Sequence, residues 1–218
     1  MTDFDYGIIW NNLPFLLEGL QVTFLLTILS VVGGIILGTV LALVRIAKIP
    51  VASWFAAAYV NFFRSLPLIL VIFWLYFLVP LLLGRPVGSF YSVLVAFVLF
   101  EAAYYSEIIR AGISSVRSGQ IAAGRAIGLT YPQTMRYIVL PQAFKAMVPV
   151  LLTQAIILFQ DTSLVYVVGL KDFLVSAELI ANRDQRLVEM FVFVAIVYFS
   201  ICFAGSLLAR RLQKRLET

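Results

Sequence analysis

Three ionisable side chains lie within otherwise apolar stretches of the sequence, at Arg64, Glu101 and Asp161. A charge in such surroundings usually faces a protein interior or a wet cavity, because apolar solvent does not stabilise it. The guanidinium of Arg64 stays charged and presents a planar fork that suits a carboxylate. Arg64 is therefore the best single candidate for contact with an anionic solute.

A proline follows Arg64 by three residues, at Pro67. Proline has no backbone N–H, so it frees a carbonyl near Arg64, as happens in helices that line a cavity. A competing interpretation is that Arg64 pairs with Asp161 or Glu101 merely to be tolerated among packed helices. The two roles are compatible, and the sequence leaves both open.

Four consecutive polar residues follow another apolar run: Gln160, Asp161, Thr162 and Ser163. On a helix they surround almost a full turn, so part of the turn should face protein or water. Asp161 could hold an α-ammonium group, while Gln160, Thr162 or Ser163 help to place a carboxylate. For Thr162 and Ser163, hydrogen bonding between helices is the competing interpretation. Glu101 is the weakest of the candidate residues.

The residue types do not support a catalytic site or a metal site in this chain. The chain has no histidine, which excludes a His-ligated metal site and a Ser/His arrangement. Its single cysteine, Cys202, excludes an intrachain disulfide and is expected to be a small packing residue. We therefore expect no catalytic residue, metal or cofactor in this chain, and no nucleic-acid partner.

The composition indicates an integral membrane protein. The 218 residues are 62% hydrophobic and 12% charged, with a mean hydropathy of +1.02. About 20 apolar residues cross a bilayer as a helix. The sequence predicts an all-α bundle with spans at about 15–44, 54–83, 90–109, 146–168 and 187–208. Counted along straight helices, Arg64, Glu101 and Asp161 then lie about 15 to 22 Å inside the membrane.

Lys and Arg near the span ends predict the orientation. One set of flanks holds eleven of them: Arg45, Lys48, Arg110, Arg117, Arg125, Arg136, Lys145, Arg210, Arg211, Lys214 and Arg215. The other set holds four: Arg85, Lys171, Arg183 and Arg186. The imbalance predicts an outside N-terminus and a cytoplasmic C-terminus. No Lys or Arg precedes the first apolar run, so we expect that run to be retained and not cleaved as a signal peptide.

The longest predicted cytoplasmic loop, residues 113–144, contains the signals for two short helices. Ser118 can cap a helix that runs to about Ile127, and Gly128 can close it in the left-handed conformation. Thr130 and Gln133 then fit a capping box for a second helix, which we expect to end near Leu140 and Pro141. The prediction is an exposed elbow on the cytoplasmic face.

The same loop contains a misleading glycine pattern. Gly119 and Gly124 have the spacing of a phosphate-binding P-loop, but Arg125 replaces its lysine and Ala126 its hydroxyl residue. No buried strand precedes the pattern, so neither phosphate nor magnesium binding is expected there. We therefore expect that this chain does not hydrolyse ATP.

The spacing of Gly128, Ile138, Leu140 and Pro141 resembles the EAA loop of ABC-importer permeases, in which a Glu-Ala-Ala triplet precedes the glycine. Here Ala122, Ala123 and Gly124 stand where that family has Glu-Ala-Ala. The resemblance implies that the elbow couples the chain to an ATPase. The coupling residues would be Gly119, Ala122, Ala123, Gly124, Gly128, Ile138, Leu140 and Pro141. Because the glutamate is absent, we expect docking through shape and apolar contacts without a salt bridge from Ala122.

The resemblance extends along the chain. Residues 63–68 (FRSLPL) are similar to an element of the polar amino-acid uptake permeases, and residues 100–113 and 158–167 resemble glutamate/aspartate permeases. What this implies is a five-span type I permease subunit in a bacterial inner membrane that imports polar amino acids, glutamate or aspartate first among them.

The implied partners are a second permease subunit, identical or different, an ATP-binding subunit that uses ATP and magnesium, a periplasmic or surface amino-acid-binding protein, and membrane lipid. The alternative function is a gradient-driven secondary transporter or channel. That class would need an ion relay or an inverted repeat, and the five unequal spans show neither.

Overall fold

The chain folds almost entirely into helices. A computed structural model describes residues 5–217, so residues 1–4 and 218 of the single predicted domain, 1–218, lie outside the described residues. The helices are α1 (Gly7–Asn11), α2 (Leu13–Ile46), α3 (Pro50–Arg64), α4 (Leu68–Leu83), α5 (Ser89–Ser114), α6 (Ser118–Ala126), α7 (Tyr131–Val168), α8 (Phe173–Arg183) and α9 (Leu187–Glu217). No strand occurs within residues 5–217, and the predicted all-α class is confirmed.

Four helices, α2, α5, α7 and α9, are each long and apolar enough to cross a membrane. The predicted spans 15–44, 90–109 and 187–208 correspond to α2, α5 and α9, which extend beyond the predicted ends. A fifth span is possible if the bent pair α3 and α4 counts as one.

The predicted span over 54–83 is not one straight helix, because the chain bends by 106° between α3 and α4. Pro67 has an extended backbone (φ −65°, ψ 136°) and no N–H to continue the helical hydrogen bonding. Residues that precede proline also avoid the helical region, so α3 ends at Arg64 and α4 begins at Leu68. The bend leaves Arg64 at the end of a helix instead of in the middle of one.

The fourth predicted span, 146–168, is the second half of a longer helix. α7 begins at Tyr131, so the second elbow helix does not end near Leu140 and Pro141, as the sequence had suggested. Met135–Val139 forms a π-helical turn, in which each N–H bonds to the carbonyl five residues back. This wider turn lets the helix pass Pro141 without a break.

Helices α2 and α5 form the closest contact in the bundle. A Cβ on Gly38 would lie 2.9 Å from the carbonyl oxygen of Ala102 and the backbone N of Ser106, and one on Gly34 would lie 3.0 Å from the Cβ of Glu101. These close approaches show that the two glycines of α2 serve helix packing. They also hold α5, which carries Glu101, against α2.

Helix α8 is a short helix in the connection between α7 and α9. The Asp172 carboxylate caps it by accepting a hydrogen bond from the Val175 N–H at 2.9 Å. Its apolar residues Phe173, Ala177 and Ile180 are buried in a cluster with Met190 of α9. The apolar face of α8 thus packs onto the helix bundle.

Candidate functional site

A cavity of about 410 Å³ opens beside the bend between α3 and α4. Its polar lining residues are Arg64 from α3, Tyr104 and Glu107 from α5, Ser115 just after α5, and Gln154 from α7. We call it the Arg64 cavity. Three different helices position these side chains, so the cavity exists only in the packed bundle.

Arg64 is exposed, and its Cζ atom lies 5.6 Å from the ring centroid of Tyr104. This is within the range of a cation–π contact. Among residues 5–217, Arg64 forms no ion pair, so the predicted pairing with Asp161 or Glu101 does not occur in this structure. The guanidinium is thus available at the cavity wall. Of the two tyrosines on α5, Tyr104 lines the cavity and Tyr105 is buried against Gly34.

Glu101 is fully buried behind the cavity wall. The Gln154 Nε2 atom lies 3.2 Å from both carboxylate oxygens of Glu101 and donates to them. This arrangement orients the Gln154 amide, whose oxygen keeps its capacity to accept a hydrogen bond. Sequence reasoning missed Gln154. The available signal was its position seven residues before Asp161, which places both on one face of a helix about 10 Å apart.

The polar turn at residues 160–163 does not line the Arg64 cavity. Thr162 Oγ1 donates to the Phe159 carbonyl at 2.7 Å, and Ser163 Oγ donates to the Gln160 carbonyl at 2.8 Å. Both hydroxyl groups therefore donate to carbonyls within α7. Asp161 is half-buried where the α-helical part of α7 changes to a 3₁₀ turn, and it forms no ion pair with a described residue.

Glu107, at the other side of the Arg64 cavity, is held by two arginines. Its Oε2 atom accepts a hydrogen bond from Arg45 Nη1 of α2 at 2.7 Å, and Arg110 of α5 forms a second ion pair with it. Glu107 and Arg110 are three residues apart on α5, a spacing that brings side chains together on a helix. The sequence did not suggest that Arg45 joins α2 to this pair, because its spacing from Glu107 follows no helical period.

The elbow consists of α6, the turn at 127–130 and the first turns of α7. A Cβ on Gly124 would lie 2.6 Å from Ile138 Cδ1, so the missing side chain lets the two helices pack together. Gly128 has φ of +87° in open space, which confirms the left-handed closure. The Thr130 N–H donates to Gln133 Oε1 at 2.8 Å in the predicted capping box. Ser118 is the first residue of α6, not its cap, because Arg117 occupies the cap position.

The outer surface of the elbow is largely apolar or small. Ala122 and Ala123 are exposed, and Ile127 at the tip is 77% exposed. Leu140 and Pro141 are also exposed further along α7. Single exposed apolar side chains are ordinary on a protein surface, but a group of them beside a rigid turn suits a partner protein. Sequence reasoning did not single out Ile127 as part of this surface.

Residues 31–218 match the family described as "Binding-protein-dependent transport system inner membrane component". The chain belongs to this family. A curated relative, the glutamate/aspartate import permease protein GltK of Escherichia coli O6:H1, is 50% identical over 222 residues, which cover 99% of each chain. The probable glutamine ABC transporter permease protein GlnP of Bacillus subtilis is 37% identical, covering 94% of this chain and 95% of its own. A crystal structure titled as an amino acid ABC transporter with histidines superimposes with a TM-score of 0.92 at 30% identity, covering 99% of this chain and 100% of the other.

As an inner membrane transport component, the chain needs a solute path and a surface for its partners. The Arg64 cavity and the elbow are candidates for these two roles. Within residues 5–217, no group of three or more Cys, Asp or Glu side chains is arranged to hold a metal ion.

Proposed function

We propose that this chain is the membrane-spanning permease subunit of an ATP-driven importer, and that it moves an acidic amino acid, glutamate or aspartate, into the cytoplasm. The observation that carries the proposal is the Arg64 guanidinium, which stands at a cavity wall without an ion-pair partner among residues 5–217. Family membership and the 50% identity to a glutamate/aspartate import permease support the same solute class.

The Arg64 cavity offers complementary groups for the two ends of an amino acid. Arg64 would bind a carboxylate in a charge-assisted pair, with Tyr104 limiting the guanidinium's freedom. The Gln154 oxygen would accept a hydrogen bond from the ammonium group, because Glu101 already engages the Gln154 donor. Asp161 lies about two helical turns beyond Gln154 along α7. Its carboxylate would bind the ammonium group at a second position on the way through the bundle.

Movement of the solute would be driven by partner chains. In this proposal a second permease subunit completes the pathway, an ATP-binding subunit with ATP and magnesium docks on the elbow, and a binding protein delivers the amino acid. The elbow suits docking because Ile127, Ala122 and Ala123 are exposed on a rigid turn. The N-terminus would lie outside and the C-terminus in the cytoplasm, as the distribution of Lys and Arg predicts.

Uptake by proteoliposomes that contain the purified complex tests the proposal. We expect uptake of radiolabelled glutamate to require hydrolysable ATP, and Arg64→Met to lower it about tenfold or more, since a lost charge-assisted hydrogen bond changes binding by that order. Arg85→Met, which removes an exposed arginine outside the cavity, is the matched control.

Three results would contradict the proposal. Uptake that follows a proton or sodium gradient without ATP would favour the secondary transporter class. Unchanged uptake in Arg64→Met would remove Arg64 from the solute path. Stimulation of ATP hydrolysis by neutral or basic amino acids but not by glutamate or aspartate would overturn the acidic substrate while leaving an importer.

A further inference from the structure

The Arg64 cavity continues along α5 towards the elbow. Its α5 wall runs from Tyr104, which contacts Arg64, through Glu107 to the C-cap residue Ser115. The eleven helical steps from Tyr104 to Ser115 span about 16 Å. The elbow helix α6 begins three residues later, at Ser118. A solute that leaves Arg64 in the direction of the elbow therefore passes Glu107.

Two guanidinium groups meet at Glu107, beside this route. The Glu107 Oε2 atom accepts hydrogen bonds from Arg45 Nη1 at 2.7 Å and from Arg110 Nε at 3.3 Å, and its Oε1 atom is paired with Arg110 Nη2. The side chains of Arg45, Glu107 and Arg110 are 15%, 24% and 36% exposed. Of the described residues that line the cavity, Glu107 is the one that carries a carboxylate. A single carboxylate on the cavity wall thus holds two arginines.

Helix packing alone does not require both arginines. The glycines of α2 already bring α2 against α5, and Arg45 by itself supplies a counter-charge for Glu107. Arg110 immediately precedes Ala111, which lines the cavity, so a guanidinium released from Glu107 would lie beside the route. Arg64, in contrast, lines the cavity without an ion-pair partner in the part of the chain that the structure describes.

We infer that Glu107 masks Arg45 and Arg110, so that the solute carboxylate binds at Arg64 and is not retained on its way to the elbow. The inference rests on the proposed function, because it assigns Glu107 a part in the release of an acidic amino acid. A guanidinium pairs with any carboxylate that reaches it in good geometry. Without the Glu107 carboxylate, the solute would take its place, bind more tightly and leave more slowly.

Binding of radiolabelled glutamate to the purified transport complex, without ATP, tests the inference. We expect Glu107→Gln to tighten binding about tenfold, as for one charge-assisted hydrogen bond gained, and to lower the maximal rate of uptake severalfold. Adding Arg110→Gln should reverse much of both changes, whereas Arg110→Gln alone should not weaken binding, because Glu107 already engages Arg110. Glu18→Gln is the matched control, since Glu18 is exposed on α2 and does not line the cavity. A role of Glu107 in folding alone would lower uptake without tightening binding.

A second measurement does not depend on the solute. Phenylglyoxal, which reacts with arginine, should modify Arg110 severalfold faster in Glu107→Gln than in the unmodified complex, with the exposed Arg117 as internal reference. Loss of Glu107 leaves Arg45 partly buried without this partner and destabilises the fold. Glu107→Asp is therefore the second variant. It keeps the charge on a side chain that is shorter by one methylene, and it should give a smaller change in the same direction in both measurements.

Two results would overturn the inference. One is unchanged or weaker glutamate binding in both Glu107 variants, and the other is unchanged reactivity of Arg110 towards phenylglyoxal. Glutamate binding that Arg64→Met leaves unchanged would instead contradict the proposed function, while the labelling of Arg110 would still decide whether Glu107 masks it.

Discussion

At the level of single residues, the Arg64 cavity depends on two ionisable side chains in opposite environments. Arg64 is exposed and unpaired within residues 5–217, whereas Glu101 is fully buried and engaged by Gln154. A buried carboxylate without a donor is strongly destabilising, so the Gln154 amide stabilises the fold and shapes the cavity wall at once.

Gln154→Leu should therefore lower both stability and uptake. It leaves the Glu101 carboxylate buried without its donor, and we expect a loss of about 1 to 3 kcal/mol in the free energy of unfolding. Thermal unfolding in mild detergent measures the loss, with Gln142→Leu on the same helix as the control, since Gln142 donates only to the Ile138 carbonyl. Adding Glu101→Leu should restore much of the stability but not the uptake. Additive losses in the double variant would refute the coupling.

Asp172, in the connection between α7 and α8, predicts a pH dependence. Burial raises the pKa of this carboxyl to about 6, although its bond from the Val175 N–H opposes the shift. Since the folded pKa exceeds the ordinary value, the group contributes most stability below about pH 4, and that contribution is lost as the pH rises through about 6.

Asp172→Asn should remove this dependence while keeping an N-cap acceptor for α8. We expect the difference in unfolding temperature between pH 4.5 and pH 7 to shrink in the variant. Asp184→Asn is the control, because Asp184 is a more exposed carboxylate paired with the neighbouring Arg183. An unchanged pH profile in Asp172→Asn would show that the carboxyl does not titrate as proposed.

At the level of elements, the bend after α3 and the elbow before α7 are the irregular segments with proposed roles. Gly124 packs against Ile138, and Gly128 closes α6 with φ of +87°. In the proposed function this packed turn would transmit the movement of a docked ATPase to α7, which continues from the elbow to the polar turn at residues 160–163.

Gly128→Val should uncouple ATP hydrolysis from uptake. A β-branched residue in the left-handed region costs about 1 to 2 kcal/mol or more, so the turn should change its conformation. We expect ATP hydrolysis to persist and the glutamate imported per ATP to fall about tenfold, with membrane insertion intact.

Gly84→Val is the matched control for this substitution. Gly84 also has a positive φ, +66°, in open space, but it lies between α4 and α5, away from the elbow. Equal loss of coupling in both variants, or normal uptake in Gly128→Val, would contradict the coupling role of the elbow.

At the level of the whole molecule, the predicted five-span topology places two sets of connections on opposite sides of the membrane. The elbow and the basic end of α9 belong to the Lys- and Arg-rich set, and the α4–α5 and α7–α9 connections belong to the other. The excess of positive charge predicts that the elbow faces the cytoplasm.

Labelling of single cysteines in intact cells checks this orientation. With Cys202→Ala as background, Arg85→Cys should react with a membrane-impermeant maleimide from outside, and Ala122→Cys should react only after permeabilisation. Both positions are exposed, so a difference reports the side of the membrane. The reverse pattern would invert the topology and remove the elbow from the reach of a cytoplasmic ATPase.

The sequence by itself determined the membrane class, the approximate spans, the left-handed Gly128 and the capping box of Thr130. These features follow from composition and from local backbone chemistry, which act over a few neighbouring residues. The Gly128 to Pro141 spacing also identified the family correctly. Local signals did not show that α7 passes through Pro141, because the π-helical turn depends on how the helix packs as well as on proline.

Only the tertiary structure decided which polar residues meet. Gln154 reaches Glu101 across 53 positions in the chain, and Arg45 reaches Glu107 across 62, separations that no helical period predicts. The tertiary structure also keeps Arg64 from pairing with Glu101 or Asp161, because the 106° bend ends α3 at Arg64. Side chains far apart in sequence come together through the packing of helices, and that packing is set by close contacts such as those of Gly34 and Gly38, not by the polar residues themselves.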